Sequence, residues 1–256
     1  MLIQNYLKRN AGPDFLYGKI RSYIISRREI RHFLEENPGQ ESQYFASLVR
    51  QVKPRYAILS TEKLLNLFYS VKEINSNKIK GDIVECGVWN GGSSAVMAAS
   101  HYYNQDSPVD RNIWLLDSFQ GLPPPGEKDG SIERDRYFDG WNKGQIEKVK
   151  EVFSKMNLSL DNVNIVPGWF DITLESTKIR DIALLHVDCD WHDSVESVLD
   201  KLYDKVVPGG TIVIDDYLTW PGCKKAVLDH LNKNNLDESN LTRVGNSNAM
   251  NFVKPG

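Results

Sequence analysis

The chain has 256 residues, 41% of them hydrophobic and 25% charged, with a formal net charge of -3. That length fits one large domain or a domain with an added cap, with core enough to need no disulfide or structural metal. The charge gives no electrostatic case for nucleic acid. The three widely spaced cysteines, Cys86, Cys189 and Cys223, argue against a disulfide framework or a structural zinc site and suit a reducing, cytoplasmic setting. The opening MLIQNYLKRNAGPDF lacks the apolar run of a signal peptide, and no stretch is long and apolar enough for a transmembrane helix.

In chain order, residues 1 to about 75 read as helical. Apolar positions from Phe15-Leu16-Tyr17 to Phe33-Leu34 recur at helical spacing. Lys19, Arg21, Arg27, Arg28 and Arg31 beside them read as a solvated face, with a partner-docking or membrane-surface face as the other reading. Ser60-Thr61-Glu62 before Leu64, Leu65, Leu67 and Phe68 reads as a cap and a further helix. From Gly81 short apolar runs alternate with helical patterns. Strands are expected at 82–86, 112–117, 162–166, 183–188 and 211–215, with helices from Ser93, Ile146 and Ser194 between them. Residues 241–244 and 248–253 read as a closing hairpin. The expectation is an α/β fold: a doubly wound, mostly parallel, seven-stranded Rossmann-like sheet (76–256) with an N-terminal helical extension (1–75). Residues 120–144, with Pro123-Pro124-Pro125, several glycines and the aromatics Tyr137, Phe138 and Trp141, read as a part-ordered lid.

Three constellations carry chemistry. Glu85-Cys86-Gly87-Val88-Trp89-Asn90-Gly91-Gly92-Ser93 sits where the first strand turns into a helix. Its glycines admit a ligand to the backbone, and the helix N-terminus offers free N–H groups to an anion. The Gly-x-x-x-Gly-Gly spacing differs from that of dinucleotide enzymes, which favours S-adenosylmethionine over NAD. Glu85, Gly87, Val88, Trp89, Gly91 and Ser93 are the candidate contacts. Asp117, followed by Ser118, ends the second strand, where an acid accepts ribose hydroxyls; a helix-capping aspartate is the alternative. Asp188-Cys189-Asp190-Trp191-His192 ends the fourth strand and Asp215-Asp216-Tyr217 the fifth. Asp188, Asp215 and Asp216 on one rim would repel one another without a cation. Their oxygens point to Mg²⁺, with Mn²⁺ or Ca²⁺ as alternatives. Asp190 is the candidate general base and His192 its rival. Trp169-Phe170 could wall the site or pack in the core. Cys189 has no evident base, and no P-loop, HExxH or GxSxG motif occurs.

The segments GDIVECGVWNGGSS, LLDSFQGLP, HVDCDWHDS, LYDKVVPGGTIVIDDY and GCKKAV together resemble the macrocin O-methyltransferase family over about residues 56–253. The resemblance implies an S-adenosylmethionine-dependent, metal-assisted O-methyltransferase acting on a sugar hydroxyl of a small-molecule acceptor. It implies the cofactor at the Glu85–Ser94 turn and at Asp117, a divalent cation at Asp188, Asp215 and Asp216, Asp190 as base, and a homo-oligomer. The sequence departs from the family pattern where glycine is expected at Cys189, tyrosine at His192, threonine near Val195 and often arginine at Lys63. The competing readings are a catechol-type O-methyltransferase on a small aromatic acceptor and a non-catalytic nucleoside-binding module.

Overall fold

The computed structural model describes residues 13–103 and 109–256, with side chains described from residue 25. The Phe15-Leu16-Tyr17 stripe, Lys19 and Arg21 therefore lie outside the described side chains, although the helical backbone expected there is present. Helices α1 (Pro13–Glu36), α2 (Gln40–Val52) and α3 (Thr61–Ser76) open the chain. The Ser60 side chain accepts from the Lys63 amide and caps α3, as the sequence signal predicted. The expected boundary at residue 75 falls in the last turn of α3.

Strands β1 (Asp82–Cys86), β2 (Ile113–Asp117), β3 (Val163–Pro167), β4 (Ile182–Val187) and β5 (Val206–Ile214) alternate with α4 (Gly92–Tyr103), α5 (Ser131–Arg136), α6 (Ile146–Lys155), α7 (Phe170–Ser176) and α8 (His192–Leu202). Helix α9 (Pro221–Lys233) and strands β6 (Thr242–Arg243) and β7 (Met250–Val253) close the chain. The seven-stranded sheet has the order β3-β2-β1-β4-β5-β7-β6. β1 to β5 pair in parallel, and β7 pairs antiparallel with both β5 and β6. The predicted hairpin thus forms, and β7, its second strand, is the one that joins β5.

β4 is buried at every residue, as expected of a central parallel strand with both faces covered. One buried cluster on one side joins Ile30, Phe45, Val49 and Phe68 of the opening helices to Ala95–Ala99 of α4 and Val149, Val152 and Phe153 of α6. The other joins Val195, Val198 and Leu199 of α8 to Ala226, Val227 and Leu231 of α9 beneath β4 and β5. The strand order reverses between β1 and β4, and in open α/β sheets ligands bind beyond the carboxyl ends of the strands at such a switch point. Among the described residues, no helix is long and apolar enough to cross a membrane.

Candidate functional site

β1 ends at Cys86, and Gly87 turns at φ +94°. A Cβ there would lie 1.7 Å from the Asp188 carbonyl oxygen, so a glycine is required for β1 and β4 to end side by side. Val88 N and Trp89 N both donate to Asp117 Oδ2 at 2.8 Å, and Phe119 N donates to Oδ1 at 2.6 Å. Asp117 therefore ties the turn after β1 to the end of β2, and its Oδ1, with a single donor, keeps lone-pair capacity for a ligand. Burial raises its carboxyl above the usual range in spite of the three N–H donors. Ser118 Oγ donates to the Gly121 carbonyl at 3.0 Å.

Gly87, Val88, Trp89, Ser93, Asp117 and Ser118 share one cavity of about 670 Å³ with Asp188, Asp190, Asp215 and Asp216. Two residues expected in that group are placed behind its wall. Gly91 packs against Val149. Glu85 is fully buried and accepts from Ser94 Oγ and, at 2.9 Å, from His186 Nδ1. Its side chain points into the sheet's covering layer because β1 is buried at that position and the turn begins two residues later.

The acids meet at the carboxyl ends of β4 and β5, which are adjacent and parallel. Burial and the neighbouring Asp215, Asp216 and Asp190 push the Asp188 carboxyl well up. Burial and Asp216 do the same to Asp190. Burial and Asp215 raise Asp216 to about 6. Asp215 goes the other way: burial is outweighed by His186 and Lys63. Lys63 Nζ lies 2.5 Å from Asp215 Oδ2 and 3.8 Å from Asp216 Oδ1. Burial opposes the charge on His186, but Asp215 and Glu85 flank it and raise its pKa to about 9. His186 thus stands between Glu85 and Asp215, behind the acidic rim.

Asp215 Oδ1 and His186 Nε2 are both buried without a hydrogen-bond partner, and they stand 3.7 Å apart. Ligand atoms of His186, Asp188 and Asp215 lie within 4.8 Å of one another. Crowded carboxylates with an orphaned oxygen among them fit a hard divalent cation.

Asp190 adopts φ +57° in the tight turn after β4. Its Oδ1 accepts the indole N–H of Trp220 at 2.8 Å. Trp220 packs edge-on against Trp191 with centroids 5.3 Å apart, and Trp141 meets both. Trp141 belongs to the 120–144 segment, whose Leu122 and Pro123 also line the cavity. Asp129 anchors that segment: its Oδ1 accepts the backbone N–H of His192 and its Oδ2 that of Gly126, both at 2.8 Å. The Trp191 indole donates to the Pro123 carbonyl at 2.9 Å. The His192 ring is buried away from the cavity, with Nδ1 2.9 Å from Asp193 Oδ1, so the rival base has no access to a ligand. Cys189 lines the cavity, but burial raises its thiol, which disfavours the thiolate a nucleophile needs. Trp169 and Phe170 are on the wall.

Sequence reasoning missed His186, Lys63 as a charge partner, Trp220 and Asp129. A signal existed for His186 alone: it stands two residues before Asp188, hence on the same face of β4. The other three come from elements remote in sequence.

The family model described as macrocin-O-methyltransferase (TylF) matches residues 36–250. The demethyldecarbamoylnovobiocin O-methyltransferase of Streptomyces niveus is 32% identical over 190 residues, 73% of this chain and 72% of that protein. The mycinamicin III 3''-O-methyltransferase of Micromonospora griseorubida is 29% identical over 188 residues, 72% of this chain and 73% of that one. The structure of the O-methyltransferase NovP superposes with a TM-score of 0.71 at 30% identity, covering 78% of this chain and 83% of NovP. The chain belongs to the macrocin-O-methyltransferase family and is an S-adenosylmethionine-dependent O-methyltransferase.

Proposed function

We propose that the chain methylates a sugar hydroxyl of a glycosylated natural product or glycan. S-adenosylmethionine would be held by Gly87, Val88, Trp89, Ser93, Asp117 and Ser118, and a divalent cation, Mg²⁺ or a similar ion, by Asp188, Asp215 and Asp216. The observation that carries this reading is that one cavity at the sheet's switch point contains both the Asp117-clamped turn and the acidic rim. Its three similar curated relatives bear the names of natural-product O-methyltransferases, one of them a mycinamicin III 3''-O-methyltransferase.

The chain's own residues then do the following. Backbone N–H groups at the start of α4 and the Asp117 carboxylate orient the donor. Asp190 takes the acceptor's proton as the acceptor oxygen bonds to the methyl carbon and the carbon–sulfur bond breaks. S-adenosylhomocysteine, the methyl ether and a protonated Asp190 result. Asp190 lines the cavity with its Oδ1 held by the Trp220 indole, which suits a positioned base. When bound, the cation would supply Lewis-acid activation and orientation of the hydroxyl. Trp141 and the 120–144 segment keep bulk water from the reacting atoms.

A panel of glycosides and catechols, read by mass spectrometry for the gain of one methyl group, tests the acceptor class. Methylation of a glycoside on its sugar is expected, and methylation of catechols alone would replace the sugar reading. With the active acceptor, Asp190→Asn should cut turnover roughly 10²- to 10⁴-fold with cofactor affinity retained. Unchanged turnover would remove Asp190 from the role. Exhaustive chelation should abolish turnover, and full activity afterwards would remove the metal.

A further inference from the structure

Lys63 stands in the first turn of α3, three residues after its cap, and reaches the end of β5. Its side chain is 13% exposed, with Nζ 2.5 Å from Asp215 Oδ2 and 3.8 Å from Asp216 Oδ1. Among the described residues lining the cavity, it is the only lysine or arginine, facing Asp188, Asp190, Asp215 and Asp216. The two carboxylates that it bridges belong to different residues of the same strand end, as do two of the three proposed metal ligands.

We propose that Lys63 is an internal counter-ion that competes with the divalent cation for Asp215 and Asp216 and thereby sets the affinity of the site. The inference rests on the reading of Asp188, Asp215 and Asp216 as the cation's ligands. An ammonium in contact with Asp215 Oδ2 takes up one of that carboxylate's two oxygens, and its positive charge would repel a cation held by the same acids. The partly buried setting preserves that repulsion from screening by salt. The same contact makes the acids tolerable without a metal: buried carboxylates need a paired charge, and Lys63 and His186 provide it from opposite sides of Asp215. Lysine position and metal occupancy are then one equilibrium, and the site fills only above a threshold of free cation that Lys63 determines.

Calorimetric titration with Mn²⁺ alone, without cofactor or acceptor, tests this on the full chain, and circular dichroism checks that each variant is folded. Lys63→Met should bind Mn²⁺ at least tenfold more tightly than the wild type, and Lys63→Arg, which keeps the charge, should stay within about threefold of it. Lys63→Gln, whose amide still donates to Asp215, serves if the Met variant fails to fold, and the same tightening is expected. In the absence of metal the neutral variants should melt at lower temperature, and Mn²⁺ should restore them by more than it raises the wild type. Equal or weaker Mn²⁺ binding by folded neutral variants, with binding by the wild type, overturns the Lys63 proposal and leaves the metal site standing. Absence of Mn²⁺ binding in wild type and variants alike overturns the metal reading and this proposal with it.

Discussion

Asp117 shows how much one side chain does at this site. It accepts three backbone N–H groups, from Val88, Trp89 and Phe119, and so fixes the shape of the turn as well as facing the cavity. A hydrogen bond to a charged group contributes about 1.5–3 kcal/mol. Asp117→Ala should therefore weaken S-adenosylmethionine binding by roughly tenfold or more, read by calorimetry. Asp117→Asn, which keeps one carbonyl oxygen for the turn, should lose less. Equal affinity in wild type and Ala variant would take Asp117 out of the cofactor site. The position of Asp117 at a strand end was legible in the sequence. Its hold on Val88 and Trp89 was not, because those residues precede it by 29 and 28 positions and only parallel pairing of β1 with β2 brings them together.

Among the elements, the junction of α3, β1 and β2 hangs on Arg111, which is 1% exposed. Its guanidinium donates to Asn75 Oδ1, to the carbonyl of Ile74 in the last turn of α3, to that of Ile79 in the connection that follows, and to that of Gly81 just before β1. A cation here also complements the carboxyl end of the helix. Burial lowers its pKa to about 10, so it keeps its charge at neutral pH. Arg111→Met fills much of the volume but leaves several buried carbonyls without a donor, at 1–3 kcal/mol for each buried group left unsatisfied. A loss of roughly 3 kcal/mol or more is expected in denaturant unfolding, with Lys intermediate. A loss below about 1 kcal/mol would mean that water replaces the guanidinium. The sequence placed α3 and β2 correctly by cap and apolar run. It gave Arg111 no role, since a lone arginine before a strand has no periodic signature. The prolines, glycines and aromatics of the 120–144 segment read as a part-ordered lid. Its anchor, Asp129, became visible only once α8 presented the His192 amide.

For the whole molecule, the opening helices and the sheet form one buried cluster, running from Ile30, Phe45, Leu48, Val49 and Val52 to α4 and α6. At about 2 kcal/mol for each buried aliphatic or aromatic side chain, those five contribute on the order of 10 kcal/mol, comparable to the entire stability of a domain. The Gly92 amide that begins α4 also donates to the Tyr56 carbonyl at 2.8 Å. Deleting residues 1–59 should therefore abolish cooperative thermal unfolding and S-adenosylmethionine binding. A truncated chain that melts cooperatively and binds the cofactor would show the helices to be a separable extension.

What the sequence by itself determined is local and periodic. The alternation of apolar runs with helical patterns yielded the parallel sheet, glycine spacing located the turn after β1, and carboxylates at strand ends marked the acidic rim. The family resemblance drew these into one activity, and the comparisons support it at 29–33% identity. The tertiary structure alone decided the strand order and, with it, which charges meet. His186 from β4 and Lys63 from α3 converge on Asp215, Glu85 from β1 backs His186, and Trp220 reaches Asp190 across 30 positions. Secondary structure follows from residues a few positions apart, whereas the charge of a buried carboxylate depends on every group within several ångströms, wherever in the chain it lies.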